Sequence, residues 1–198
     1  MGNGLLIVIS GPSGVGKGTV CKRLLSDNDK ISLSVSATTR KARTGEIDKV
    51  SYFFMGKEEF EDMVEKKEFL EYAYVHGNYY GTPKKYVLDK IEKGQDVLLE
   101  IDIQGALKVK DIYPEGVFIF IMPPSMEELK KRIVNRGTET EEAIARRLEA
   151  AYKEIEYVFK YDYVVLNDEI ETAVNKIESI LDAEKCKVNR QKDIIKKI

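Results

Sequence analysis

Leu5-Leu6-Ile7-Val8-Ile9-Ser10-Gly11-Pro12-Ser13-Gly14-Val15-Gly16-Lys17-Gly18-Thr19 is the stretch on which the fold turns. It begins as an uninterrupted apolar run, which predicts a buried strand. Four glycines and a lysine follow, and the polar-apolar pattern from Lys17 to Leu25 predicts a helix. Strand, glycine-rich turn and helix in that order are the setting of a P-loop. The glycines allow the backbone to curl so that successive N–H groups point inward at phosphate oxygens. The start of the helix adds a favourable dipole. Lys17 then reaches the outer phosphates as a point charge. The motif departs from the general pattern at Gly18, where Ser or Thr would touch a metal ion; Thr19 comes one residue late. A divalent ion would then be held by the nucleotide phosphates, water and a nearby carboxylate, with no dedicated protein site.

Outward from this loop, apolar runs alternate with amphipathic stretches. Val97–Asp102, Val117–Ile121 and Tyr163–Leu166 read as further buried strands, and Ile31–Ser36 as a weaker one. Helices are predicted over Lys84–Lys93, with Gly94 as a stop, over Glu141–Phe159 and over Glu169–Leu181. Ser125-Met126-Glu127-Glu128 fits a capping box opening a helix toward Asn135. Alternation of this kind predicts a parallel α/β sheet covered on both faces. Two regions break it. Thr38–Pro83 is polar and Tyr-rich, with one helical pattern at Glu58–Lys66, and reads as an inserted mixed α/β subdomain. Arg136–Thr140 is a polar loop between two helices and reads as a mobile lid.

The 198 residues suit one domain with an insertion, and 43 % hydrophobic content is enough for a core. No stretch approaches the ~20 apolar residues of a membrane span, and the run after Met1 is too short for a signal peptide. Cys21 and Cys186 make no disulfide framework, so a cytoplasmic location is expected. With 32 basic and 34 acidic residues, the balance argues against a nucleic-acid binder. Six of the 8 arginines nevertheless crowd into two segments: Arg40 and Arg43, then Arg132, Arg136, Arg146 and Arg147. The basic tail, Lys185–Ile198, reads as a solvated surface helix.

Ser34-Val35-Ser36-Ala37-Thr38-Thr39-Arg40-Lys41-Ala42-Arg43 sets hydroxyls and two arginines beyond a strand. Two such arginines can converge on one phosphate with bidentate hydrogen bonds, and Tyr52 and Tyr80 could add phenol donors. A solvated basic loop would look the same from this stretch alone. Glu100 and Asp102 close the Val97 strand at the sheet edge where α/β proteins bind ligands, and Asp102 suits Mg²⁺ or a second substrate. Acids that merely end a strand are the competing reading.

Taken together, these motifs resemble the guanylate kinase family. The P-loop in its Gly-Lys-Gly-Thr form is followed by the Ser34–Arg43 segment with Gly45-Glu46, and by Ser51-Tyr52-Phe53-Phe54. Phe69-Leu70-Glu71, Gly77-Asn78-Tyr79-Tyr80-Gly81-Thr82, Glu100-Ile101-Asp102-Ile103-Gln104-Gly105 and Arg136-Gly137-Thr138-Glu139-Thr140-Glu141-Glu142 complete the series, in the family's order and spacing. The resemblance covers about residues 4–182. It implies a P-loop three-layer fold with a five-stranded parallel sheet core (1–35, 86–125 and 155–198), a GMP-binding subdomain (36–85) and a helical lid (126–154). It further implies an ATP:GMP phosphotransferase that uses Mg²⁺ with ATP as phosphoryl donor.

By that resemblance, Arg40, Arg43, Tyr52 and Tyr80 hold the GMP phosphate, and Ser36, Glu71, Thr82 and Asp102 contact guanine. Gly11–Thr19, with Pro12, Ser13, Gly14, Val15, Gly16, Lys17 and Gly18, cradle ATP. Arg132 and Asn167 join the ATP side, and Arg136 and Arg147 close on the transferring group. Ala42 stands where many members have proline, Lys49 where a turn glycine is usual, and Thr82 where some have serine. Chemically the set is coherent. Guanine offers N1–H and N2–H₂ as adjacent donors, and an ionised carboxylate at Glu71 can accept both. Adenine offers a lone pair at N1 and would leave Glu71 unpaired. The only histidine, His76, sits in a polar turn and reads as a surface residue. A guanylate-kinase-like binding module without turnover, and a kinase for another nucleoside monophosphate, are the alternatives. Against the first stand Lys17, the glycines and the lid arginines; against the second stands Glu71 with Ser36 and Thr82. The oligomeric state is open.

Overall fold

The computed structural model describes residues 3–75, 77–134 and 141–191, the side chains of Glu141 and Ala143 excepted. Arg136, the Arg136–Thr140 loop and His76 lie outside the described residues.

Strand β1 (Leu6–Ser10) is buried along its whole length. It is the centre of a five-stranded parallel sheet. On one side it pairs with β7 (Asp96–Glu100), Leu6 opposite Val97 and Ile9 opposite Glu100. On the other it pairs with β8 (Val117–Met122), Ser10 opposite Phe120. Strands β2 (Ile31–Leu33) and β9 (Tyr163–Leu166) form the edges, giving the order β2-β7-β1-β8-β9. Side chains alternate across a strand, and β1 shows why its run is apolar throughout. Leu5, Ile7 and Ile9 pack with Val20, Leu24, Val174 and Ile177 on one face. Leu6 and Val8 pack with Val87, Ile91, Ala106 and Val109 on the other. Each fully buried aliphatic side chain of this kind contributes about 1.5–3 kcal/mol. Neither face of β1 is wetted, so the phosphate loop that follows Ser10 starts from a fixed point.

Around the sheet lie α1 (Lys17–Asp27), α3 (Lys84–Glu92), α4 (Ile103–Ile112) and α7 (Ile170–Lys185). Residues 37–83 build a second sheet from β3 (Ala37–Thr38), β4 (Phe53–Phe54), β5 (Phe69–Val75) and β6 (Asn78–Pro83), in the order β4-β3-β6-β5. Its small core is aromatic. Phe60, on α2 (Lys57–Glu65), stacks on Phe69 at 4.3 Å and on Tyr79 at 5.2 Å between ring centroids. Helices α5 (Met126–Val134) and α6 (Glu141–Ile155) follow, with residues 135–140 between them outside the described residues.

Several expected boundaries shift. Val97–Asp102 ends as a strand at Glu100, because Asp102 caps α4: its Oδ1 accepts from the Gly105 N–H at 2.7 Å. The sequence pattern did not predict α4, whose ten residues include Gly105 and two isoleucines, both weak helix formers. The long Glu141–Phe159 helix ends at Ile155 and tightens into a 3-10 turn over Glu156–Lys160. Helix α7 runs on to Lys185, past the expected Leu181. The Ser125 hydroxyl accepts from the Glu128 N–H at 3.1 Å, the first half of the expected capping box. Lys49 keeps a glycine-like backbone, with φ +64°. The turn is therefore retained with a lysine, at the cost of a conformation that side chains disfavour.

Among the described residues no helix is long and apolar enough to cross a membrane.

Candidate active site

The site is assembled where the parallel strands end. Gly16 caps α1 with φ +95°, and a β-carbon there would come within 2.8 Å of Asn167 Nδ2. Only glycine meets both demands. Asn167, 4 % exposed, donates from Nδ2 to the Val15 carbonyl at 2.8 Å. Arg132 Nη1 donates to the same oxygen at 3.2 Å, and its Nη2 donates to the Asn167 carbonyl at 3.0 Å. These two residues therefore brace the outside of the P-loop, Asn167 from just past the end of β9 and Arg132 from α5. Lys17 Nζ donates to the carbonyls of Gly11 at 2.6 Å and Pro12 at 3.3 Å. Burial pulls the Lys17 pKa down, and the nearby charges of Glu154 and Glu100 oppose that pull.

Two further groups press on the loop. A β-carbon at Gly18 would come within 3.3 Å of Glu100 Oε1. The side that lacks the usual hydroxyl thus carries a carboxylate instead. From α6, Arg147 Nη2 donates to Ser13 Oγ at 2.9 Å, and Glu154 Oε2 accepts from the Ser13 N–H at 3.0 Å. The sequence alone assigns no binding role to Glu100 or Glu154. Glu100 stood in a quoted motif, and the register of Ile9 against Glu100 was the missing information. For Glu154 no local signal exists.

The second cluster lies on the smaller sheet. Glu71 on β5 and Thr82 on β6 are register partners, and Thr82 Oγ1 donates to Glu71 Oε1 at 2.6 Å. The other carboxylate oxygen faces the start of α4, 3.3 Å from where a β-carbon on Gly105 would stand. Burial pushes the Glu71 pKa up; the Thr82 hydrogen bond pulls it back, and the Asp102 charge adds to the rise. Asp102 Oδ1 lies 3.4 Å from that same Gly105 β-carbon position, beside Glu71, and Asp102 follows Glu100, which flanks Gly18, by two residues. Ser36 directly precedes Ala37, which pairs with Gly81, and this aligns Ser36 beside Thr82. A polar, acceptor-rich recess of this shape can take a planar group with adjacent N–H donors.

A third group completes the line. Arg40 makes a bidentate pair with Glu46, Nη1 to Oε2 at 3.0 Å and Nη2 to Oε1 at 2.8 Å. The Arg43 N–H donates to Glu46 Oε2 at 2.7 Å. These bonds, the one from Arg40 first, hold the Glu46 pKa down at about 2. The Arg40 guanidinium also lies 5.4 Å from the Tyr52 ring centroid, and the Tyr52 and Tyr80 rings are 6.2 Å apart. Glu46 therefore fixes the direction of Arg40 and the turn that leads to Arg43. Gly45-Glu46 belongs to the motif series quoted above, but the sequence alone assigns Glu46 no partner.

Among the described residues no cluster of three or more His, Cys, Asp or Glu is placed to hold a metal ion. Glu100 and Asp102 are hard oxygen donors beside the loop, which suits an ion such as Mg²⁺ that brings most of its ligands from phosphate and water.

Comparison with known proteins gives a consistent result. The guanylate kinase family profile matches residues 3–184. The guanylate kinase of Clostridium tetani is 64 % identical over 195 residues, 98 % of this chain and 93 % of that one. The guanylate kinase of Clostridioides difficile is 60 % identical over 192 residues, covering 97 % and 94 %. Among solved structures, the crystal structure of guanylate kinase from Anaplasma phagocytophilum superposes with a TM-score of 0.73 at 41 % identity, over 96 % of this chain and 90 % of that one.

Proposed function

The chain belongs to the guanylate kinase family, and from that premise we propose that its cleft moves the γ-phosphoryl group of ATP onto GMP, and onto dGMP, releasing ADP and GDP or dGDP. An oxygen of the GMP phosphate attacks the γ-phosphorus in line. The bond from that phosphorus to the β–γ bridging oxygen breaks, and ADP leaves with the electron pair. A phosphate of this kind has a second pKa near 6, so it is mostly ionised at neutral pH. No general base is needed, and the work left to the protein is positioning and charge stabilisation.

The observation that carries the reading is the Glu71 carboxylate held by Thr82 against the start of α4, the helix that follows Glu100 beside Gly18 of the P-loop. Glu71 accepts from guanine N1–H and N2–H₂, with Ser36, Thr82 and Asp102 around it. Arg40, oriented by Glu46, takes the GMP phosphate together with Arg43, Tyr52 and Tyr80. Residues Gly11–Thr19 take the ATP phosphates, and Lys17 turns from the loop carbonyls to the β- and γ-oxygens. Arg132 and Asn167 keep the loop in shape for it. Arg147 stands on the P-loop through Ser13, which supports a role against the transferring phosphoryl group. Arg136 lies outside the described residues and keeps the role its motif implies. Mg²⁺, when bound, neutralises charge on the ATP phosphates; those phosphates and water would hold it, beside Glu100 and Asp102. A free, exposed Cys186 and a buried Cys21 suit the reducing cytoplasm.

A panel of nucleoside monophosphates, with ATP as donor, tests the assignment against a kinase for another base and against a binding module without turnover.

A further inference from the structure

Ser13 receives two contacts from one face of α6. Its N–H donates to Glu154 Oε2 at 3.0 Å, and its Oγ accepts from Arg147 at 2.9 Å. Residues 147 and 154 are two helical turns apart, so both side chains project the same way. The Ser13 N–H belongs to the loop whose inward amides are built for phosphate oxygens. A carboxylate oxygen is the nearest side-chain equivalent of such an oxygen: anionic, acceptor-only and of similar size. Glu154 is also the leading opposite charge acting on Lys17. Lys17 itself is turned to the carbonyls of Gly11 and Pro12. An anion already lies against the anion cradle, and it comes from the protein.

We propose that Glu154 is a built-in phosphate surrogate: it occupies part of the P-loop cradle in the nucleotide-free enzyme and must be displaced when ATP enters. The inference rests on the reading of the P-loop as the ATP site. Two anions cannot share the one Ser13 N–H, and both are drawn to the same Lys17 charge. The apparent affinity for ATP is then the intrinsic affinity reduced by the fraction of enzyme with Glu154 swung away. The same competition favours release of ADP, because the carboxylate is tethered and ready to return. It also ties occupancy of the loop to the position of α6, which carries Arg147. Glu154 is thus a positioning residue, set to weaken ATP binding and hasten turnover. A residue that merely tied α6 to the loop, or that contacted bound ATP, would do the opposite on removal.

Calorimetric titration of the intact chain with ATP, ADP and inorganic tripolyphosphate, with adenosine as the phosphate-free control, separates these outcomes. Glu154→Ala is expected to bind all three phosphate-bearing probes about 3–10-fold more tightly than the unaltered protein, with adenosine unchanged. Equal or weaker binding of ATP and tripolyphosphate by the variant overturns the inference. So does a gain for adenosine of the same size, since that would not come from the phosphate cradle. Should Glu154→Ala fail to fold, Glu154→Gln, which keeps the shape and loses the charge, carries the same comparison. Failure of the unaltered protein to bind either ATP or tripolyphosphate would overturn the ATP reading itself.

Discussion

Thr82 Oγ1 donates a hydrogen bond of 2.6 Å to Glu71 Oε1, across a register pair of two antiparallel strands. The strands hold the two residues side by side, and the hydroxyl fixes the carboxylate plane. Glu71 is then an acceptor of set direction in a mostly buried recess, and the recess makes its ionised form costly.

That cost yields a prediction on function and on stability. Glu71→Gln puts an N–H₂ where guanine offers donors, so kcat/KM for GMP falls by about 10²–10⁴, with a much smaller change in ATP binding. An acid whose folded-state pKa is raised destabilises the fold above that value, and this loss fades as pH falls through it. It is gone once the pH lies below the pKa of the unfolded chain. Glu71→Gln should therefore melt at a higher temperature than the unaltered protein at neutral pH. The gap should shrink in acid and close below the ordinary carboxylate range. Thermal melts across pH check the sign, and steady-state kinetics check the activity.

The bracing of the P-loop leads to a second prediction. Asn167→Ala removes one of the two donors to the buried Val15 carbonyl and opens space beside Gly16. Loss of about 1–3 kcal/mol of stability is expected, together with a rise in KM for ATP that exceeds any rise for GMP. Gly16→Ala should be worse, because it forces a side chain into φ +95° and against Asn167. Denaturant titration and separate KM measurements for the two substrates read both effects.

Arg147 is expected to act on the chemical step. Arg147→Ala should lower kcat by about 10³, in the range of arginines in other phosphoryl-transfer sites, with GMP affinity changed far less. Single-turnover kinetics with both substrates saturating measures this directly. A kcat equal to that of the unaltered protein would remove Arg147 from the mechanism.

The P-loop was legible because its signal is local: glycines, a lysine and the flanking strand and helix fall within fifteen residues. The central strands were legible for a related reason, since β1 is buried on both faces and is apolar at every position but the closing Ser10. Helix α4 was not, because Asp102 looks like the end of a strand until its Oδ1 is seen capping Gly105. The Tyr-rich insert hid its packing, where Phe60, Phe69 and Tyr79 stack rather than bind. Glu100 depends on strand register, and Glu154 lies 141 residues from Ser13 in sequence. Contacts of that range leave no mark in any short stretch of residues. Glu46 sits closer, but nothing in its spacing tells a clamp on Arg40 from an ordinary surface acid.

The central claim is that a fixed carboxylate at Glu71 and an arginine held by Glu46 select and orient GMP opposite ATP on the P-loop. Phosphoryl transfer from ATP to GMP, dGMP, AMP, CMP and UMP, measured side by side for the unaltered protein and Glu71→Gln, tests it most directly. Rapid turnover of GMP and dGMP is predicted, with the other monophosphates slower by orders of magnitude and the advantage lost in the variant. Equal rates on AMP and GMP, or a variant that still prefers GMP, would contradict it.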